Sequence, residues 1–280
     1  MMAVSTDRSW PTKRPIIGVG VSATTYEEAC ELVLRHAEGS QPASITALAV
    51  HGLVEAARDE AFREVVSAFE LVTPDGQPVR AALRLLHGIS LPSRVYGPEL
   101  MWRLCKRSAE REVGVYLYGS RPSVVRDLRR RLERDIADLN IVGAEPSKFR
   151  PLTDDEVAAL GSRIASAGAQ LVFLGLGCPL QERFAHRLRS EVSTVNVCVG
   201  AAFDFLSGHK RTAPSWMQKS GLEWLFRLMR EPRRLWRRYL VTNSYFLMNV
   251  IPEWIAQISN DSRGDGKSEG EEQYESASHR

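Results

Sequence analysis

The sequence of 280 residues has few cysteines and no long apolar run. Its four cysteines are widely spread and form no CxxC pair, so we expect reduced thiols in a cytoplasmic protein rather than a zinc site or a disulfide framework. No stretch reaches the roughly 18 apolar residues of a membrane-spanning helix. Residues 1–14 are polar and lack the apolar region of a signal peptide, and we expect them to be disordered.

A strong excess of either charge is also absent, because the formal net charge is only +3. This average hides an uneven distribution. Residues 209–240 hold nine basic and two acidic side chains, a net charge of +7, whereas residues 259–280 hold three basic and six acidic ones, a net charge of −3. The acidic stretch is rich in Ser, Gly and Glu and has almost no apolar residues, so we expect a disordered tail over 259–280.

Short apolar runs alternate with helical patterns up to about residue 205, which predicts an α/β core over residues 15–207. The runs are nearly continuous, as in a mainly parallel sheet that is covered by helices on both faces. Predicted strands span residues 16–21, 44–50, 71–73, 113–118, 139–142, 170–174 and 194–199. Predicted helices span residues 26–36, 54–69, 123–134 and 153–167. Ligands of such sheets bind beyond the carboxyl ends of the strands.

Two loops at expected strand ends carry groups that suit a ligand. Asp75, followed by Gly76, places a carboxylate directly after a strand. A capping aspartate with a turn glycine explains this pair equally well. Gly119 and Ser120 form a turn that opens a helix, and the free N–H groups of a helix N-terminus can bind a phosphate.

Two further loops complete this edge of the expected sheet. Gly175 and Gly177 allow a ligand to approach the backbone closely. Their spacing departs from the GxGxxG pattern, so a dinucleotide is disfavoured. Gln181 and Glu182 then fall in the first turn of a helix that faces the crevice, and Asp204 follows a run of small residues.

Residues 208–258 have the pattern of a basic, amphipathic helical appendage rich in Arg and Trp. Four arginines share one helical face at spacings of three and four residues: Arg227, Arg230, Arg234 and Arg237. Pro232 interrupts this face and favours two helices over one. A membrane-surface helix pair, a nucleic-acid face without a recognisable motif, and a packed helix with a solvated basic side all remain open. Arginine also suits bidentate binding of a lipid-linked diphosphate.

Several blocks in order carry a specific resemblance. They are PDG at 74–76, RVYGPEL at 94–100, YLYGS at 116–120, GLGCPLQE at 175–182, VGAAFDFLSG at 199–208, RTAPSWMQ at 211–218, GLEWLFRL at 221–228 and EPRRLWRRY at 231–239. Over about residues 15–240 the chain resembles the WecG/TagA/CpsF family of bacterial glycosyltransferases. The resemblance implies a Rossmann-like core with a membrane-binding helical appendage. It also implies inverting transfer from a UDP-sugar to an undecaprenyl-diphosphate-linked acceptor, in the synthesis of teichoic acid, capsule or exopolysaccharide.

The resemblance also implies roles for individual residues. Asp75 matches the general base, Thr46 the active-site threonine and Gln181 a further catalytic residue. Arg94 matches an arginine near the substrate phosphates, and Glu182 lies beside Gln181 near the donor. The remaining substrate-binding positions are Gly76, Gly119, Ser120, Gly175, Gly177 and Asp204. The positions expected at the acceptor diphosphate and the membrane are Arg211, Arg227, Arg230, Arg234 and Arg237.

The implied partners are a UDP-sugar, a polyprenyl-diphosphate-linked acceptor and an anionic membrane, with the protein peripheral on the inner membrane face. Nucleic acid is not expected, and a homo-oligomer stays open. Family members need no metal, and the sequence has no Asp-x-Asp triplet to hold one, so no cofactor is expected. Leu48 stands where many members have Asn, which leaves the donor hexose open. The alternative is a catalytically silent nucleotide-sugar binder or membrane-surface interaction protein. Catalysis requires Thr46, Asp75 and Gln181 to meet in one crevice lined by Gly119 and Gly175.

Overall fold

The structure is a computed structural model that describes residues 9–214, 216–217 and 220–275, without the side chains of residues 234, 257 and 259–275. Its strands are β1 (Lys13–Ile16), β2 (Val19–Ser22), β3 (Ala43–Leu48), β4 (Leu71–Pro74), β5 (Val115–Gly119), β6 (Ile141–Glu145), β7 (Leu171–Gly175) and β8 (Val195–Cys198). Strands β3 to β8 form one sheet in the order β4-β3-β8-β7-β5-β6, and every neighbouring pair is parallel. Strands β1 and β2 form a separate antiparallel hairpin.

Helices cover both faces of this sheet, which confirms the predicted α/β class. They are α1 (Tyr26–Glu38), α2 (Val50–Arg58), α3 (Glu60–Ser67), α4 (Gln77–His87), α5 (Gly97–Glu110), α6 (Pro122–Asp135), α7 (Asp154–Ser166), α8 (Leu180–Leu188), α9 (Ala202–Leu206), α10 (Glu223–Arg230) and α11 (Pro232–Glu275). Helices α1, α5, α6 and α9 pack on one face, and α2, α3, α4, α7 and α8 pack on the other.

Strand β7 shows why the apolar runs are continuous. Successive side chains of a strand point to opposite faces of the sheet. Val172 and Leu174 therefore pack in the core beneath α7 and α8, whereas Leu171 and Phe173 pack in the core beneath α1, α5 and α6. A strand that is buried on both faces needs apolar residues at every position.

Two predicted elements were wrong in detail. The expected strand over 16–21 is a hairpin, because Ile17 and Gly18 adopt φ angles of 46° and 76° and reverse the chain. The expected helix over 54–69 is two helices, α2 and α3. Asp59 separates them, and its side chain accepts a hydrogen bond from the N–H of Phe62 at 3.0 Å as the N-cap of α3.

The N-terminal boundary also differs from the expected residue 15. Strand β1 begins at Lys13, and the Trp10 ring lies 4.3 Å from the His36 ring of α1, measured between centroids. Residues 1–8 lie outside the described part of the chain, so the disorder expected there stays a prediction.

The basic segment is helical and divides in two, as the position of Pro232 predicts. Helix α10 ends at Arg230 and α11 begins at Pro232. Phe246 and Val250 of α11 are buried against the core beside α2 and α4. The backbone of residues 259–275 continues this helix, and their side chains are outside the description, so the expected disorder of the tail stays a prediction. No helix within the described residues is long and apolar enough to cross a membrane.

Candidate active site

A cleft of about 940 Å³ opens at the carboxyl edge of the sheet. Its walls come from the ends of β3, β5, β7 and β8, and α10 and α11 close it from the side. Parallel strands place their carboxyl ends together, which is why residues far apart in sequence meet here. Among the predicted site residues, those that line the cleft are Asp75, Ser120, Gly175, Gly177, Gln181, Asp204, Arg211, Arg227 and Arg230.

Asp75 directly follows β4 and lies half-buried at the floor of the cleft. Its N–H donates to the carbonyl of Leu48 at 3.3 Å, and its Oδ2 accepts a long hydrogen bond of 3.5 Å from the N–H of Gly97. Gly76, at a φ of 104°, lets the chain turn from this carboxylate into α4. Burial raises the pKa of Asp75 to about 6, although the guanidinium groups of Arg94 and Arg227 oppose the rise.

An ionic cluster lies beside Asp75. Glu223 of α10 accepts hydrogen bonds from Arg94 and from Arg227, the second at 2.6 Å. Arg227 also donates to the hydroxyl of Tyr96 at 2.9 Å, and the Arg94 guanidinium lies 4.4 Å from the Tyr96 ring centroid. Arg227 is therefore at the cleft, as predicted. Arg94 is not among the residues that line the cleft and pairs with Glu223, and its expected contact with substrate phosphates stays a prediction.

Thr46 and Glu182 lie behind the cleft rather than in it. Both are fully buried, and Thr46 Oγ1 donates to Glu182 Oε1 at 2.8 Å. The same oxygen accepts a hydrogen bond from Gln181 Nε2 at 2.9 Å, and Gln181 Oε1 accepts one from the N–H of Gly177 at 3.2 Å. Burial raises the pKa of Glu182, and the bonds from Gln181 and Thr46 oppose that rise. Of the three residues expected to converge, Asp75 and Gln181 line one cleft. Thr46 is connected to that cleft only through its hydrogen bond to Glu182, which in turn accepts one from Gln181.

The two glycines expected to line the crevice are packed closely against neighbours. A Cβ atom on Gly119, whose φ is 138°, would lie 2.6 Å from the backbone of Gly175. A Cβ atom on Gly175 would lie 2.6 Å from the ring of Phe203. Gly175 lines the cleft, but Gly119 does not. The next residue, Ser120, lines it instead, and the Ser120 N–H donates to the Gly175 carbonyl at 3.0 Å.

The predicted arginines divide between the cleft and the outer surface. Arg211, Arg227 and Arg230 line the cleft. Arg237 is exposed, with its guanidinium 5.9 Å from the Trp236 ring centroid, and the side chain of Arg234 lies outside the described residues. Cationic side chains that line the cleft but were not predicted are Arg121, Arg150, Arg183, Lys210 and Arg238. Arg238 stands next to Arg237 in the basic run, so the charge pattern could have indicated it.

Glu223 and Tyr96 are the other important residues that the sequence reasoning missed. Glu223 is one of two acidic residues in the segment of net charge +7, and this isolation was an available signal. The described residues contain no group of three or more His, Cys, Asp or Glu side chains placed to hold a metal ion. The expectation of a metal-independent reaction remains a prediction.

The parallel sheet carries a cleft at its carboxyl edge, lined by the carboxylate of Asp75 and by arginines. These features define a ligand-binding α/β protein suited to anionic ligands. The chain matches the model of the glycosyl transferase WecG/TagA/CpsF family over residues 14–260, and it belongs to that family. One relative, the N-acetylglucosaminyldiphosphoundecaprenol N-acetyl-beta-D-mannosaminyltransferase of Bacillus spizizenii, is 30% identical over 217 residues, which cover 75% of this chain and 82% of the relative. These matches confirm the resemblance and make the protein a glycosyltransferase.

Proposed function

We propose that this glycosyltransferase moves a hexose from a UDP-sugar to a polyprenyl-diphosphate-linked sugar, with inversion and without a metal ion. The name of the Bacillus spizizenii relative supports an acceptor of the N-acetylglucosaminyl-diphosphoundecaprenol type. The observation that carries the proposal is Asp75, a carboxylate with a pKa near 6 on the floor of a cleft whose wall is basic. Such a carboxylate is ionised at neutral pH and still basic enough to take a proton.

In the proposed reaction Asp75 is the general base. Its carboxylate accepts the proton of the acceptor hydroxyl while the hydroxyl oxygen forms a bond to the anomeric carbon of the donor sugar. The bond from that carbon to the β-phosphate oxygen breaks on the opposite side, and UDP leaves with the electron pair. Attack and departure on opposite faces invert the anomeric centre. Arg227 and Arg230, which line the same cleft, are placed to balance the charge that develops on the leaving diphosphate.

Gln181 is the side chain best suited to hold the donor. Its amide lies in the first turn of α8, 3% exposed, and is fixed by Glu182 and by the N–H of Gly177. A fixed amide loses little conformational entropy when it binds a sugar or a phosphate. Thr46 and Glu182 then act as positioning residues that hold this amide, rather than as groups that contact substrate.

A lipid-linked acceptor also requires contact with a membrane surface. Large apolar side chains are exposed along α10 and α11, and we name six of those on α11 the apolar strip: Trp236, Leu240, Leu247, Ile251, Ile255 and Ile258. Their spacings of three, four and seven residues place them on one side of a helix. Together with the neighbouring arginines this strip suits a helix that lies in the plane of an anionic membrane.

The proposal is tested by incubating the full chain with a panel of UDP-hexoses, including UDP-N-acetylmannosamine, and a short polyprenyl-diphosphate-N-acetylglucosamine acceptor. We expect turnover with one donor class, in buffer that contains a chelator. The Asp75→Asn variant should lower kcat by about 10²–10⁴-fold, because the carboxamide cannot accept the proton. The wild-type kcat/KM should fall as the pH drops below about 6, where Asp75 becomes protonated.

Asp138→Asn is the matched control. Asp138 lies in the turn before β6, at the amino edge of the sheet and away from the cleft, with a φ of 60° that Asn also tolerates. It should leave kcat and the pH profile unchanged. Near-wild-type turnover by Asp75→Asn would contradict the assignment of the base. Binding of UDP without turnover of any donor would instead favour the silent nucleotide-sugar binder.

A further inference from the structure

Glu223 is a buried carboxylate in the most basic segment of the chain, only 7% exposed. Burial tends to raise its pKa, but the guanidinium groups of Arg227 and Arg94 outweigh burial and leave the pKa below its ordinary value. The carboxylate is therefore ionised in the folded protein. Both of its oxygens are paired with guanidinium groups, and removing one partner of such a buried cluster leaves the other charges uncompensated.

The two oxygens of Glu223 connect different parts of the molecule. Oε2 accepts a hydrogen bond from Arg94, which lies in the core segment between α4 and α5. Oε1 accepts one from Arg227, one helical turn farther along α10, at 2.6 Å. Arg227 continues to the hydroxyl of Tyr96 at 2.9 Å, and the next residue, Gly97, donates its N–H to Asp75. Glu223 thus joins the C-terminal helices to the backbone that holds the proposed base.

The titratable groups that interact with Asp75 belong to three parts of the chain: α1, the segment before α5, and α10. Arg94 and Tyr96 contribute from the segment before α5, and Glu223 and Arg227 contribute from α10. Tyr26 of α1 accepts a hydrogen bond from the N–H of Tyr96 at 2.9 Å and also interacts with Asp75. Within this set Glu223 supplies the negative charge that offsets the two guanidinium groups.

We propose that Glu223 is a positioning residue that fastens Arg94 and Arg227 beside Asp75 and limits the positive charge that the Asp75 carboxylate faces. Without it, two uncompensated guanidinium groups would stabilise ionised Asp75 and make it a weaker proton acceptor. The effect on the reaction rests on the proposed function, because it requires Asp75 to be the base. The electrostatic effect on Asp75 does not.

The direct test is a ¹³C NMR titration of the full chain labelled at the aspartate carboxyl carbons, with the Asp75 signal assigned by its loss in Asp75→Asn. In Glu223→Gln, an isosteric neutral variant, the titration midpoint of Asp75 should fall by about one pH unit. Glu133→Gln is the matched control, because Glu133 also pairs with an arginine of its own helix, Arg129 at 2.7 Å, and lies outside the cleft lining. It should leave the midpoint unchanged.

Kinetics with the active donor adds a second measurement. The acidic limb of kcat/KM should move to lower pH in Glu223→Gln together with the NMR midpoint. Glu223→Asp keeps the charge but is one methylene too short to hold both arginines, so it should lower kcat without moving that limb. An unmoved Asp75 midpoint in Glu223→Gln would overturn the proposal. The proposal would also be overturned if Glu223→Gln failed to fold while Glu223→Asp and the control variant folded. Absence of turnover in the wild type would contradict the proposed function and leave the NMR result decisive.

Discussion

The surroundings of Asp75 suit a proton acceptor, but they lower the free energy of unfolding when its carboxylate is ionised. Its backbone is fixed by Leu48 and its carboxylate by Gly97, while burial raises the pKa from 3.8 to about 6. A carboxyl group whose pKa is higher in the folded than in the unfolded chain binds protons more tightly when folded. Ionisation of Asp75 therefore lowers the free energy of unfolding as the pH rises through that interval.

We expect Asp75→Asn to be more stable than the wild type above about pH 6 and equal to it below about pH 4, where Asp75 is protonated in both states. At about pH 8 the melting temperature should be higher by roughly 5 °C, measured by circular dichroism, because a pKa difference of about two units corresponds to about 3 kcal/mol. Asp138→Asn should follow the wild type across the whole range. A melting temperature of Asp75→Asn equal to that of the wild type at about pH 8 would show that ionised Asp75 carries no such cost.

At the scale of elements, the site depends on how closely the ends of β5, β7 and α9 approach one another. The Gly119 Cα faces the backbone of Gly175, and the Gly175 Cα faces the ring of Phe203, which is fully buried. No side chain larger than hydrogen fits at either glycine without displacing its neighbour. Close packing of these three elements positions Ser120 and Gly177 along the cleft.

Gly175→Ala should destabilise the protein by about 1–3 kcal/mol, because its Cβ would overlap the Phe203 ring at 2.6 Å. Urea denaturation measures this loss. Gly39→Ala at the end of α1 is the control, since Gly39 is exposed with a φ of −80° and its Cβ would come no closer than 3.3 Å to a neighbouring atom, so the stability should change little. Adding Phe203→Leu to Gly175→Ala should cost less than the sum of the two single changes. Strict additivity would show that the ring and the new methyl group do not compete for space.

Helices α4 and α5 and the turn between β1 and β2 were not predicted, because each depends on features that a local sequence pattern does not record. Helices α4 and α5 have Pro78 and Pro98 in their first turns, where proline is compatible with a helix, although it also marks loops. Ile17 has a positive φ that a β-branched residue rarely adopts, so the short apolar run over 16–21 predicted a continuous strand there. Each of these outcomes depends on packing or turn geometry that a local pattern does not record.

The site was predictable to the extent that strand ends determine it. Asp75 and Gln181 could be placed at one edge because their strands are parallel. The partner of Arg94 could not be found, because Glu223 lies 129 positions away and reaches it only when α10 packs on the core. Thr46 was expected in the crevice, but its pairing with Glu182 across 136 positions directs it into the interior.

At the scale of the whole molecule, the arginines of the basic segment are divided between the cleft and the outer surface. Some of its arginines, such as Arg227 and Arg230, turn inward to the cleft, whereas Arg237 lies outside beside Trp236. Phe246 and Val250 anchor α11 to the core, and the apolar strip lies on the neighbouring, exposed side of the same helix. Trp236 and Leu240 of the apolar strip alternate along α11 with Leu235, Arg238 and Tyr239, which line the cleft, and this proximity suits the lipid-linked acceptor that we propose.

We expect the full chain to float with vesicles that contain phosphatidylglycerol and to bind phosphatidylcholine vesicles much more weakly, with binding that decreases as salt screens the arginines. Trp236→Ser, Leu240→Ser and Ile251→Ser combined should reduce vesicle binding at least tenfold, because each of these side chains gains roughly 1.5–3 kcal/mol when fully buried. Leu85→Ser removes an equally exposed apolar side chain, 46% exposed, from α4 and should bind like the wild type. Equal flotation of the triple variant and the wild type would show that the apolar strip does not contact the bilayer.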